Sequence, residues 1–357
     1  MKELFQDKTV LVTGGTGSMG QTLIRRILTG NLGVPKKVIV LSRDEAKQHD
    51  MRMSYLHKLV STDEVIYRNF MNTLEFRIGD VRNYADICAA VKNANIVINA
   101  AALKQVPVCE YFPVQAVLTN CLGAYNIVRA IEENGYPVET VVGISTDKAS
   151  KPVNVMGMTK AIQEKVFTSA NILNPNTRFI CVRYGNVLAS RGSVIPLFHD
   201  QIRNGGPVTI TVPEMTRFLL SLEQACETVF AALHEAKRGE TYVPNAPSAT
   251  VLNIVKALIG DRKVEIKVTG IRPGEKMHEI MVSEEEIFHC AKRGNYYAIL
   301  PMLPELLDKT KTETNHFHKE FSSQDNVLDL AGTIKLLKKH KLMIKDVDLL
   351  SQEELLR

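Results

Sequence analysis

The sequence predicts an α/β fold: a Rossmann-like, doubly wound parallel sheet with a smaller, interleaved C-terminal substrate domain. Three observations carry this. Strands that are apolar throughout alternate with helical spacings over the first half of the chain, the pattern of a parallel sheet covered on both faces. A glycine-rich turn joins the first strand to the first helix. After about residue 186 the alternation gives way to shorter segments in which glycine and proline recur, as in Gly205-Gly206-Pro207 and Pro273-Gly274.

Each element follows from its residues. Val10-Leu11-Val12 is a short apolar run ending in glycines, and Met19, Leu23, Ile24, Ile27 and Leu28 give helical spacing over 18–29. Residues 38–41 form a second buried strand, followed by a charged helix over 44–60. A third strand at 74–78 ends at Gly79-Asp80, and a helix over 83–92 leads to a fourth strand at 96–98. A long helix over 114–134, a fifth strand at 140–144, a helix over 155–171 and a strand at 179–182 complete the half. Crossovers between parallel strands are expected to be right-handed. The resulting division is a nucleotide-binding domain at 1–186, to which 218–245 returns through a helix over 221–238. A substrate domain follows at 187–300, and a polar tail at 301–357 carries a terminal helix over 328–340.

Composition excludes several classes. No run approaches the roughly 20 apolar residues that span a bilayer, and residues 1–7 lack the apolar core of a signal peptide, so a cytoplasmic location is expected. The six cysteines show no paired spacing and read as free thiols. His316 and His318 do not make a metal site, and no metal is expected. A net charge of +5 without clustered cations and stacking aromatics argues against a nucleic-acid partner. Lys335, Lys338, Lys339 and Lys341 read as a solvated helix face.

Thr13-Gly14-Gly15-Thr16-Gly17-Ser18-Met19-Gly20 follows strand one and opens helix one. Gly14, Gly17 and Gly20 let the backbone approach a pyrophosphate, and the helix start supplies amide donors, so a dinucleotide cofactor is expected. An NAD enzyme would place a carboxylate at the end of strand two. This chain places Ser42 and Arg43 there, with Lys47 one turn on, which suits a 2′-phosphate and points to NADP. Asp80 and Val81 sit at the adenine end, and Ala100, Ala101 and Ala102 are small where the cofactor runs close to the backbone.

The segment 145–160, Ser-Thr-Asp-Lys-Ala-Ser-Lys-Pro-Val-Asn-Val-Met-Gly-Met-Thr-Lys, is the most informative stretch. Together with Gly79-Asp80-Val81-Arg82, the run 100–107, Arg183-Tyr184-Gly185-Asn186-Val187 and Ser190-Arg191-Gly192-Ser193-Val194-Ile195-Pro196, it resembles the inverting UDP-N-acetylglucosamine 4,6-dehydratases (5-epimerases) of the extended short-chain dehydrogenases. Met215-Thr216-Arg217-Phe218 and Arg272-Pro273-Gly274-Glu275-Lys276 extend the likeness, which covers roughly residues 5–285. The branch that makes N-acetyl-L-fucosamine precursors for capsule and O-antigen looks nearest. It is similar to this chain in carrying methionine at the usual tyrosine position, here Met156, and cysteine at Cys109.

The resemblance implies a redox-neutral sequence: oxidation at C4, loss of water across C5 and C6, return of hydride to C6, and protonation of C5 on the opposite face. It also implies a homo-oligomer, a hexamer by analogy, whose C-terminal tail reaches a neighbour. Lys160, one turn after Met156, would hold the nicotinamide ribose. Lys148, standing where a configuration-retaining relative carries glutamate, would transfer the C5 proton with its pKa depressed by burial and by Lys160. Asp147 would act as acid on the C6 hydroxyl, and Thr146 would hydrogen-bond the C4 oxygen. A thioether has no titratable group, so Met156 reads as an apolar wall, and Lys148, Lys160 or a water must accept the C4 hydroxyl proton. Cys109 reads as a buried structural thiol in preference to a reactive one. Lys104, Asn186, Ser193, Arg217, Arg272 and Glu275 match positions near the UDP-sugar, where arginines fork onto a diphosphate. Two other readings remain open: a UDP-hexose 4-epimerase, against which Lys148 argues, and a non-catalytic NADP-binding module, against which the intact Asp147, Lys148 and Lys160 argue.

Overall fold

The computed structural model describes residues 3–56, 63–188, 193–307 and 318–349. The end of the expected helix 44–60, Ser190-Arg191-Gly192 and His316 lie outside them. Strands form where uncharged apolar runs can be buried on both faces. In β1, Thr9–Thr13, Val10 and Val12 join one core cluster and Leu11 another, and all three are fully buried. The remaining parallel strands are β2 (Lys37–Ser42), β3 (Leu74–Ile78), β4 (Ile96–Asn99), β5 (Thr140–Thr146), β6 (Arg178–Tyr184) and β7 (Thr241–Pro244). A hairpin of β8 (Cys290–Arg293) and β9 (Tyr296–Ile299) adds antiparallel to β7. The nine-stranded order is β3-β2-β1-β4-β5-β6-β7-β9-β8. The order reverses between β1 and β4, and in such sheets ligands bind beyond the carboxyl ends of the strands at that reversal.

Helix Ser18–Leu28 packs Leu23, Ile24 and Ile27 on one face of the sheet with Val229 and Phe230 of helix Leu222–Glu235. The latter helix is fixed at its start by a Ser221/Gln224 capping box. Ile127, Ile131 and Phe167 cover the other face. A third cluster, built on Ile195, Phe198, Ile254 and Leu258, forms the core of the remaining C-terminal residues. The described part of the tail packs on its own chain. Phe321–Ser322 pairs with Ile280–Val282, Val327–Leu328 pairs with Ser248–Thr250, and Leu337 of helix Leu330–Lys339 enters the third cluster. Lys335, Lys338, Lys339 and Lys341 are exposed. Among the described residues no helix is long and apolar enough to cross a membrane.

Besides the β8–β9 hairpin, which the sequence reading did not mark, two helical regions differ from expectation. A helix over Asp63–Thr73, unmarked in the sequence reading, packs Ile66 and Phe70 into the first cluster. The single helix expected over 114–134 is broken: Val106–Tyr111 and Pro113–Ala116 are followed by a π-helical turn at Val117–Leu122 and then helix Gly123–Asn134.

Candidate active site

The turn after β1 is shaped by close approach. Gly14 has φ +64°, and a side chain there would stand 2.7 Å from the Ala101 backbone. One at Gly20 would stand 2.5 Å from Gly15 Cα, whereas Gly17 is exposed. Gly17 caps helix Ser18–Leu28 with no side-chain hydrogen bond, leaving the helix start to a ligand's oxygens. Thr13 Oγ1 donates to Asn99 Oδ1 at 2.6 Å and accepts from the Ala101 N–H at 3.2 Å, which ties β1 to the Ala100-Ala101-Ala102 turn. Ser18 and Met19 are half-buried beside it. This cradle fits a pyrophosphate.

At the end of β2 the Thr16 and Ser42 hydroxyls are 2.8 Å apart. Arg43 is exposed and lies 3.6 Å from Asp80, which also takes Arg82 at 2.6 and 2.8 Å. Burial pushes the Asp80 pKa up, but the hydrogen bonds and charge of Arg82, with Arg43, outweigh it and hold the carboxyl below its ordinary value. Lys47 is bound to Asp44 at 2.5 Å, so the expected extra positive charge for a 2′-phosphate is partly cancelled within the chain. Val81 is buried against Gly123, and its carbonyl accepts from Asn126.

The residues expected to carry chemistry converge at the end of β5. Thr146 Oγ1 donates to Asp147 Oδ1 at 2.9 Å. Lys148 Nζ bonds Asp147 Oδ1 at 2.9 Å, Asn186 Oδ1 at 3.1 Å and Glu279 Oε1 at 3.0 Å. Arg217 stands behind, its Nε 3.9 Å from the same Glu279 oxygen. Burial alone would depress the Lys148 pKa, but Asp147 and Glu279 outweigh it and raise it. The depression expected from Lys160 is thereby corrected: carboxylates, not a second cation, are the neighbours that decide. Asp147 shifts up, chiefly because it is fully buried and also because of Glu279, against the pull of Lys148.

Lys160 stands apart from that cluster. It is 5% exposed, donates to Gln163 Oε1 at 2.7 Å, and burial lowers its pKa to about 8. Met156 packs with Cys109, Ala116, Leu103 and Val106 in a small apolar cluster. Cys109 is fully buried, its thiol is 3.5 Å from the Leu103 carbonyl, and burial pushes its pKa up to about 11. Lys104 is exposed on the same loop. Arg217 is buried and donates to the Thr216 and Met277 carbonyls. Ser193 caps helix Val194–Arg203, and its buried hydroxyl has no hydrogen-bond partner among the described residues. The same holds for Glu275 Oε2, while Arg272 is exposed on that loop.

Four residues were given no role of their own in the sequence reading, although Asn154 and Lys276 lie inside motifs quoted there. Glu279 lies far from Lys148 along the chain. Asn120, in the π-helical turn, is fully buried and brackets Leu103 through its N–H (2.8 Å) and carbonyl (3.0 Å), and also reaches Thr159. Asn154 caps helix Val155–Leu173 through the Gly157 N–H at 2.8 Å and donates to the Gly274 carbonyl at 2.7 Å, fastening the 272–276 loop over the site. Lys276 donates to the Ser150 carbonyl at 2.7 Å. The segment Asn154-Val155-Met156-Gly157 carried a capping signal that could have identified Asn154.

Residues 10–301 match a family model described as polysaccharide biosynthesis protein. The UDP-glucose 4-epimerase of Rickettsia typhi is 43% identical over 301 residues, covering 83% of this chain and 84% of that one. The corresponding protein of Rickettsia conorii is 44% identical over the same shares. The X-ray structure of Pen from Bacillus thuringiensis superposes with a TM-score of 0.83 at 31% identity, covering 95% of this chain and 99% of that one. The dTDP-glucose 4,6-dehydratase of Streptomyces venezuelae shares the fold, with a TM-score of 0.63 at 19% identity over 75% and 86% of the two chains. With a match spanning most of its length and relatives this similar, the chain belongs to the polysaccharide biosynthesis protein family, on the extended short-chain dehydrogenase fold of nucleotide-sugar dehydratases and epimerases.

Proposed function

We propose that the protein is an inverting 4,6-dehydratase (5-epimerase) that converts UDP-N-acetylglucosamine into a UDP-2-acetamido-2,6-dideoxy-4-keto-L-hexose for surface polysaccharide, with NADP as resident cofactor. The observation that carries this is Lys148, a half-buried ammonium (18% exposed) set against the fully buried carboxyl of Asp147 at the end of β5. Simple 4-epimerisation changes only C4 and needs no such pair. The glycine cradle, the Thr16–Ser42 pair and Arg43 would hold the cofactor. Bound there, it supplies reversible hydride exchange with the sugar.

The chain's own groups handle the protons. Lys160, whose pKa of about 8 leaves a minor fraction of it neutral near physiological pH, accepts the C4 hydroxyl proton that Met156 cannot take. Asp147, with its raised pKa, gives a proton to the C6 hydroxyl as water leaves. Lys148, held as an ammonium, returns a proton to C5 on the opposite face. Met156 and its cluster supply an apolar wall. Ser193, Arg217, Arg272 and Glu275 take the UDP part. Exposed Tyr111, Phe112, Val114 and Val117, with Met158 and Ile162 on the neighbouring helix, support a homo-oligomer, a hexamer in this reading.

A second reading, UDP-hexose 4-epimerase, is favoured by the names of the Rickettsia relatives. Proton NMR of UDP-N-acetylglucosamine in deuterated water with the protein and NADP separates the two. A new C6 methyl signal with deuterium at C5 is expected; UDP-N-acetylgalactosamine without a methyl signal would transfer the assignment to the epimerase.

A further inference from the structure

We propose that Glu279 is a positioning residue of this site: it pins Lys148 from a second segment of the chain and supplies the negative member of a carboxylate pair whose other member, Asp147, serves as the acid. The geometry comes first. An ammonium has three donors, and those of Lys148 meet three acceptors, Asp147 Oδ1, Asn186 Oδ1 and Glu279 Oε1, at 2.9, 3.1 and 3.0 Å. Glu279 is 2% exposed, a position that an ionised carboxylate keeps only when it is paired. Its backbone is clamped on both sides by Ser323, which accepts from the Glu279 N–H at 2.9 Å and donates to its carbonyl at 2.8 Å. Ser323 is itself fully buried and shares its hydroxyl with Thr216 at 2.7 Å. Glu279 is therefore set rigidly from the strand Thr216–Phe218 and from the tail, neither of which belongs to the 145–160 segment.

The two carboxylates differ in their surroundings. Asp147 Oδ1 takes the Thr146 hydroxyl and Lys148, while Oδ2 is buried with no partner among the described residues; Glu279 Oε2 is buried and unpartnered in the same way, so the difference lies in the charges that face each group. A side chain at Gly185 would stand 3.0 Å from Asp147 Oδ2, so glycine leaves it uncovered. The charged groups facing the pair are Lys148, Arg217 and Lys276, with His278 bonded to Thr216 alongside. Glu279 shifts down, because Lys148 and Arg217 outweigh its burial, and Asp147 shifts up through burial and the Glu279 charge. Carboxylates pushed apart in this way divide into a fixed charge and an acid. In the elimination a solvent water takes the C5 proton, the C5–H electrons form the C5–C6 double bond, the C6–O bond breaks, and the Asp147 proton makes the departing group water. Lys148 then faces two carboxylates.

The catalytic consequence rests on the dehydratase reading; the positioning does not. The test is competitive acetylation of the full-length protein with acetic anhydride, read by mass spectrometry at Lys148, alongside kcat, KM and the pH profile of methyl formation. In the native protein Lys148 should react far more slowly than exposed Lys338. Glu279→Gln should raise its acetylation about tenfold at pH 8, one pKa unit being a factor of ten, and Glu279→Asp should restore most of the protection. In the same Gln variant kcat should fall with KM little changed, and its alkaline limb should move to lower pH by about one unit as Asp147 loses the nearby charge. Unchanged acetylation of Lys148 in the Gln variant would overturn the proposal. So would native Lys148 reacting as fast as Lys338, which remains readable if the Gln variant does not fold. Absence of methyl product from the native enzyme would count against the dehydratase reading alone, since acetylation needs no sugar.

Discussion

Gly157 is where a single methyl group reports most sharply on the site. In an ordinary helix, Gly→Ala gains about 0.5–1 kcal/mol. Here the added Cβ would stand 2.2 Å from the Lys148 carbonyl oxygen and 3.2 Å from Pro152 Cβ. The carbonyl has to retreat by about 1 Å to reach even a tight contact, an overlap that in packed interiors costs about 1–3 kcal/mol. The strain exceeds the propensity gain, so Gly157→Ala should be net destabilising by about 1 kcal/mol. The functional cost should be larger. The retreat moves the residue whose ammonium makes three contacts of 2.9–3.1 Å, and a displacement of about 1 Å at a reacting group costs on the order of 100-fold in rate. Thermal unfolding and the initial rate of C6 methyl formation measure the two effects. A melting temperature above that of the native protein, or a rate close to native, would refute the claim that this turn is held by the missing side chain.

Other perturbations test other contacts. Arg183 is 2% exposed between Glu164, at 2.6 and 3.1 Å, and Glu286, at 2.7 and 2.9 Å. Arg183→Met leaves buried Glu164 and half-buried Glu286 without their cation and should cost about 3–5 kcal/mol in urea denaturation; a loss under about 1 kcal/mol would mean that water reaches the triad. Asn120→Ala strips the Leu103 N–H and carbonyl of their partner, at a cost of about 1–3 kcal/mol by the same assay, and an unchanged midpoint would contradict the bracket. Lys160 has a folded pKa of about 8 against an ordinary 10.5, so the unfolded chain binds more protons between those values and stability should rise with pH across that window. Turnover should rise through pH 8 as well, and Lys160→Met should abolish the stability slope; a slope unchanged in that variant would remove Lys160 as its source.

What the sequence disclosed follows from how locally each feature is specified. The apolar strand runs and the glycine turn are local, and β3 spans 74–78 as read. The hairpin at 290–299 was missed although Gly294-Asn295 between two short runs is a two-residue turn signal; its lysine, arginine and tyrosines concealed the strands. Helix Asp63–Thr73 shows only Ile66 and Phe70 as a buried pair, too few to mark a face. The extra residue of a π-helical turn shifts the helical period, so the break at 117–122 and the role of Asn120 had no sequence signature. In the site, Thr146, Asp147 and Lys148 were legible because adjacent residues at a strand end share one place. The upward direction of the Lys148 shift was not, because burial opposes Asp147 there and the second carboxylate that helps to outweigh it, Glu279, is brought in by tertiary pairing of 280–282 with the tail.

The central claim is that Lys148 delivers the C5 proton. Its most direct test is solvent deuterium incorporation at C5 of the sugar by Lys148→Ala, followed by NMR under conditions where bound NADP is verified by its absorbance. Incorporation should be lost while the cofactor stays bound. Incorporation at the native rate would contradict the claim and leave Lys148 as a structural partner of Asp147 and Glu279.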